Sequence, residues 1–192
     1  MNAKQLQQRL GVTADGIIGP GTLTALFRKF GAPAERAAEL ALSANVHFRT
    51  YGILDTGLRL AHFMAQVAHE SGGFRYMEEI ASGQAYEGRA DLGNTQPGDG
   101  RRYKGRGPIQ LTGRANYRTY GRALGMDFES HPEIVALPSI GLLAGCLYWD
   151  RTKLNALADA DDLLTITRRI NGGTNGLNDR RAKLTLAKGL IL

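Results

Sequence analysis

Leu60-Ala61-His62-Phe63-Met64-Ala65-Gln66-Val67-Ala68-His69-Glu70-Ser71-Gly72-Gly73-Phe74 is an apolar helix that ends on a carboxylate and two glycines. Leu60, Phe63, Met64 and Val67 repeat at helical spacing, which predicts a buried stripe over a helix near 58–70. Glu70 lies ten positions after Leu60, about 80° round the helix at about 100° per residue, so it borders that stripe. It also occupies the last turn, where the helix dipole is negative. Partial burial and the negative helix end both disfavour an ionised carboxyl group, and a carboxylic acid that keeps its proton can act as a general acid.

Similar apolar spacing predicts helices near 35–47, 112–124, 139–150, 161–170 and 179–189, so the chain reads as mainly α. Residues 1–32 form a separate helical hairpin in this reading. Leu6 and Leu10 mark its first helix, Asp15-Gly16-Ile17-Ile18-Gly19-Pro20 makes the turn, and Leu23, Leu26, Phe27 and Phe30 mark the second helix. So small a unit buries little by itself and is expected to lean on residues 33–192. From Ser82 to Gly107 no helical period survives; a loop of that length in a compact domain is usually functional or disordered.

The 192 residues carry a formal net charge of +6 and are 43% apolar, ordinary for a chain that builds a core. The basic excess favours anionic polymers without choosing among them. Cys146 is the single cysteine, so no internal disulfide forms, and its apolar surroundings point to a structural thiol. The first residues lack the apolar core of a signal peptide, and no stretch is long and apolar enough to span a bilayer. The expectation is a monomer made in a bacterial cytoplasm, with no stable membrane insertion. No metal or cofactor is expected: His69-Glu70 lacks the second histidine of a zinc helix, because position 73 is glycine. The arginines of 101–122 lack the interleaved aromatics of a single-strand binder, so nucleic acid is not expected as a partner.

Hydrolysis of a glycosidic bond with inversion needs, besides the acid, a carboxylate roughly 6.5–9.5 Å away that activates water. Glu78, Glu79, Glu87, Asp91 and Asp99 follow Glu70, and spacing does not rank them. Tyr103-Lys104-Gly105-Arg106-Gly107-Pro108-Ile109-Gln110-Leu111-Thr112 then supplies glycines that let backbone approach a ligand. In this stretch Gln110 and Thr112 can hold sugar hydroxyls, an N-acetyl group or water. Asn116 and Tyr117 follow about one helical turn later.

These stretches, with Ile170-Asn171-Gly172-Gly173 and Asp179-Arg180-Arg181, resemble glycoside hydrolase family 19 over roughly residues 40–192, and within it the chitinase-like endolysins of phages. Leu6-Gln7, Leu10-Gly11, Asp15-Gly16-Ile17-Ile18-Gly19-Pro20 and Thr22 resemble a peptidoglycan-binding repeat. The resemblance implies a lysozyme-like helical domain with a substrate cleft. It implies Glu70 as general acid, Glu87 as the match to the general base, and Thr112 as the residue that places water. Tyr103, Arg106, Gln110, Asn116, Tyr117, Asn171 and Arg181 are then candidates for substrate contact. The expected partner is the glycan of peptidoglycan, cut at β-1,4 bonds by an N-acetylmuramidase that reaches the wall once the membrane opens. Chitin cleavage, a lytic transglycosylase and a non-catalytic wall-binding protein are the competing readings.

Overall fold

The computed structural model describes residues 1–192. The helices are α1 (Ala3–Leu10), α2 (Pro20–Lys29), α3 (Ala34–Thr50), α4 (Gly57–Glu70), α5 (Asp99–Arg102), α6 (Arg114–Leu124), α7 (Pro138–Arg151), α8 (Leu154–Asp159), α9 (Leu163–Asn171) and α10 (Leu177–Ile191). No sheet forms; there are only two isolated bridges, Glu78 with Arg106 and Arg106 with Leu111. No helix is long and apolar enough to cross a membrane.

The mainly helical expectation holds, and the differences are local. α8 was not foreseen, because a six-residue helix offers only one apolar repeat, here Leu154 and Ala158. The helix expected from 161 starts at Leu163, where the Asp162 side chain caps it by accepting from the Thr165 N–H.

α4 is the central helix. The Thr56 hydroxyl caps its start, and every residue from Leu60 to Ala68 is buried. α10 packs along it, and α3 bridges between α2 and α7. A string of aromatic contacts joins these layers. Phe27 of α2 meets Phe48 of α3 at 6.2 Å, Phe48 meets Phe63 of α4 at 4.9 Å, and Phe63 meets Trp149 of α7 at 5.2 Å. A second, smaller cluster around Tyr103, Tyr117, Phe128 and Val135 holds the 103–135 region.

The N-terminal hairpin shares the main core. Leu6, Leu23, Leu26 and Phe27 are fully buried among residues of α3, α4, α7 and α10. Its turn is organised by the buried Gln7 amide, which donates to the Asp15 carboxylate at 2.7 Å, the Ile17 carbonyl at 3.0 Å and the Thr22 hydroxyl at 3.0 Å. Gln7 also accepts from the Gly16 N–H at 2.8 Å. The Asp-Gly-x-x-Gly-Pro-x-Thr residues thus close their own turn around one side chain.

Behind the turn that ends α4, the hairpin touches the rest of the chain directly. Gly73 has φ +78°, and a Cβ there would lie 2.7 Å from the Phe30 carbonyl oxygen. Glycine is required twice, for the left-handed backbone and for that close approach. Phe74 then stacks edge-on against Phe27 at 4.9 Å. Phe27→Ala is expected to cost about 3–5 kcal/mol and to lower the midpoint of one cooperative denaturant transition for the whole chain. A separate early transition would mean that the hairpin unfolds alone.

Candidate active site

Glu70 lines a cavity of about 240 Å³ with Leu92, Ile109, Gln110, Leu111, Thr112, Asn116, Tyr120, Tyr148 and Ile170. The carboxylate sits at the end of α4, and Arg180 of α10 holds its Oε1. Arg180 is itself buried, with the Gln66 side-chain carbonyl accepting from its Nη1 at 2.5 Å. Gln66 precedes Glu70 by one turn on α4, so one helix face presents both partners of the guanidinium. A second clamp lies beside it: His69 Nδ1 meets the Asp179 carboxylate at 2.6 Å and ties α10 to the same helix end. Glu70 Oε2 has no hydrogen-bond partner within the protein, which leaves it to the cavity. The sequence reading weighed only burial and the helix end at Glu70; the structure adds a cation.

Beside the cavity wall, Arg106 forms isolated bridges with Glu78 on one side and Leu111 on the other. The Glu79 N–H donates to the Gly105 carbonyl at 2.9 Å, and the Gly107 N–H donates to Met77 at 2.8 Å. A Cβ on Gly105 would lie 2.6 Å from Gln110 Oε1 and 3.3 Å from both Glu79 Oε2 and Thr112 Oγ1. Gly105 therefore lets three polar side chains converge, and Gln110 and Thr112 carry that cluster to the wall of the Glu70 cavity. Gln110 has φ +57°, a conformation uncommon outside glycine. Its side-chain amide donates to the Gly107 carbonyl at 3.0 Å, and its backbone carbonyl accepts from the Thr112 hydroxyl at 2.8 Å. Neighbours in an extended segment face opposite sides. Glu78 turns to Lys104 at 2.9 Å and Arg106 at 3.2 Å, which leaves Glu79 without a salt bridge.

Four candidates from the sequence meet on this cavity: Glu70, Gln110, Thr112 and Asn116. Others do not. Glu87 accepts from the backbone N–H groups of Gly98 at 2.6 Å and Gly100 at 2.8 Å, so both of its oxygens staple the 82–107 loop. It is not among the residues that line the Glu70 cavity. Tyr103 and Tyr117 are buried core residues; Tyr103 donates to the Glu129 carbonyl at 2.9 Å and Tyr117 to the Lys104 carbonyl at 2.7 Å. Arg106 is buried between the Tyr117 hydroxyl, the Arg102 carbonyl and Glu78, a scaffold position rather than a substrate contact. Asn171 is folded onto its own turn, bonding Asn175 and Gly173, while its neighbour Ile170 reaches the cavity. Arg181 is exposed and meets only Asn178, at 3.0 Å.

Arg180 was missed, although the sequence carries its signal. Arg180, Leu184, Ala187 and Ile191 fall at i, i+4, i+7 and i+11, the buried face of α10. A cation on that face needs a buried partner.

Residues 38–166 match the sequence model of glycoside hydrolase family 19, described as Chitinase class I. The chain belongs to glycoside hydrolase family 19. A family 19 domain-containing protein of Haemophilus influenzae is 34% identical over 155 residues, covering 64% of this chain and 75% of that protein. An endochitinase of Arabidopsis thaliana is 32% identical and covers 84% of this chain. The chain spans only 57% of that plant relative's length. Among solved structures, chitinase C from Streptomyces griseus superposes with a TM-score of 0.72 at 26% identity, covering 88% of this chain and 75% of that one. A class IV family 19 chitinase from Zea mays shares the fold, with a TM-score of 0.69 at 24% identity over 88% of this chain and 91% of its own.

In this family 19 chain the loop between Ser82 and Gly107 is pinned by buried polar groups. Asp99 is 1% exposed and accepts from Arg114 Nε at 3.0 Å. Hydrogen bonding from Arg114 holds its carboxyl below the ordinary value of 3.8, and the Gln96 N–H adds to this. The unfolded chain therefore takes up a proton at higher pH than the folded one. The stabilisation is complete above pH about 4 and is lost as pH falls toward the depressed folded value. Melting temperature is expected to fall steeply on acidification from pH 5 to 3, and Asp99→Asn should flatten part of that slope while lowering stability at neutral pH. An unchanged slope would remove Asp99 from the account. Cys146 is fully buried, and burial pushes its thiol far up, as befits a packing residue.

Proposed function

We propose that this protein hydrolyses β-1,4 bonds beside N-acetylglucosamine in the glycan of bacterial peptidoglycan, by an inverting acid–base mechanism. The observation that carries the acid–base reading is that Gln110 and Thr112, which line the cavity with Glu70, also converge with the Glu79 carboxylate around Gly105. Glu70 donates its proton to the bridging oxygen, from the carboxyl oxygen that Arg180 leaves free. Glu79 takes a proton from water on its carboxylate, whose Oε2 lies beside the Gln110–Thr112 cluster. The Thr112 hydroxyl and the Gln110 amide hold that water. Glu79 replaces Glu87 as the base in this reading, because Glu87 spends both oxygens on the loop.

Support for peptidoglycan comes from the likeness of residues 1–32 to a wall-binding repeat and from the net charge of +6. An endolysin role rests on the same two features. One second reading has a specific basis: several of the similar proteins are named endochitinases, which favours chitin.

Purified peptidoglycan and chitin oligosaccharides, digested in parallel, test the proposal. New reducing N-acetylmuramic acid ends, found by mass spectrometry of the muropeptides, are the expected product. Cleavage of chitin alone would hand the site to the second reading. A 1,6-anhydro end would replace hydrolysis by a transglycosylase reaction, which needs a single glutamate.

A further inference from the structure

Glu79 has one side-chain partner, and it comes from the irregular loop. The Tyr86 hydroxyl donates to Glu79 Oε2 at 2.9 Å. Tyr86 sits in a single 3-10 turn, Gln84–Tyr86, and that turn is held on both sides. Asn94, fully buried, donates from Nδ2 to the Tyr86 carbonyl at 2.9 Å, while its Oδ1 accepts from the Arg114 N–H at 2.9 Å. Arg114 begins α6, the helix that brings Asn116 and Tyr120 to the cavity. On the other side, Glu87 grips Gly98 and Gly100. The loop thus carries one phenol at a fixed place relative to the cavity wall.

We propose that Tyr86 is a positioning residue for the general base: its hydroxyl holds Glu79 Oε2, the carboxylate oxygen that faces the Gln110–Thr112 cluster, and so fixes the carboxylate toward the attacking water. This rests on the reading of Glu79 as base. The local chemistry is consistent throughout. Lys104 and Arg106 are consumed by Glu78, so no cation competes for the Glu79 side chain. Burial, and then the bond to Glu79, hold the Tyr86 phenol above its ordinary value of 10.0, so it stays a donor across the working range. A donor to a carboxylate favours the ionised form, which is the form a base needs.

Tyr86→Phe removes this single hydroxyl. The expected result is a roughly ten-fold fall in kcat with KM within about two-fold, the pattern of an interaction used in the reaction rather than in binding. A merely structural tyrosine would lower melting temperature and leave kcat of the folded enzyme unchanged. Adding Tyr86→Phe to Glu79→Gln should cost almost nothing further, since the phenol acts through the carboxylate.

The outcomes separate the two claims. If Glu79→Gln abolishes turnover while Tyr86→Phe leaves kcat unmoved, the positioning role is overturned and the base stands. If Glu79→Gln keeps near-normal rates, the base assignment falls and takes the role of Tyr86 with it.

Discussion

Glu70→Gln is expected to reduce kcat on peptidoglycan by at least ~10²-fold, the loss that follows removal of a general acid. The substitution keeps the shape of the side chain and an oxygen that can accept from Arg180, so packing around the buried guanidinium survives. What disappears is the transferable proton. Melting temperature should fall, because the buried Arg180 guanidinium loses its only carboxylate, while turnover of the folded protein collapses and binding of intact glycan persists. Lysis unchanged by Glu70→Gln would instead identify a wall-binding protein whose apparent activity comes from elsewhere.

Glu79→Gln is the second large effect, with an expected loss of ~10²–10⁴-fold in kcat. An amide cannot take a proton from water, yet it can still accept from Tyr86. Comparison with Glu87→Gln makes the test decisive. Glu87 accepts two backbone donors, so its replacement should loosen the 98–100 segment and lower stability, with a smaller effect on turnover. The reverse order, with Glu87→Gln dead and Glu79→Gln active, would restore Glu87 as the base. Rates on a soluble oligosaccharide, measured beside thermal denaturation, read both variants.

The fold was legible wherever a helix carried a long apolar stripe. α4 and α7 show that stripe over fourteen residues each, and both lie where periodicity places them. Glu70 was legible for the same reason, as a carboxylate at the edge of a stripe next to two glycines. The base was not. Glu78, Glu79 and Glu87 sit in extended or irregular backbone, where no period tells inward from outward over so few residues. Their roles are decided by partners far along the chain: Lys104 and Arg106 claim Glu78, and Gly98 and Gly100 claim Glu87. Tyr103, Tyr117 and Arg106 misled in the opposite direction. A polar tip on a large side chain looks like a ligand contact in sequence, but here each tip bonds a backbone carbonyl of the loop it supports.

The Phe30 carbonyl pressed against Gly73 has a consequence for how such a molecule can evolve. A module joined through a slack tether can be traded between proteins without disturbing its neighbour. The 1–32 hairpin instead forms the back wall of the bend that carries Glu70. Any replacement lineage would have to supply the same backbone oxygen and the same aromatic edge, so the hairpin and that bend are inherited as one piece.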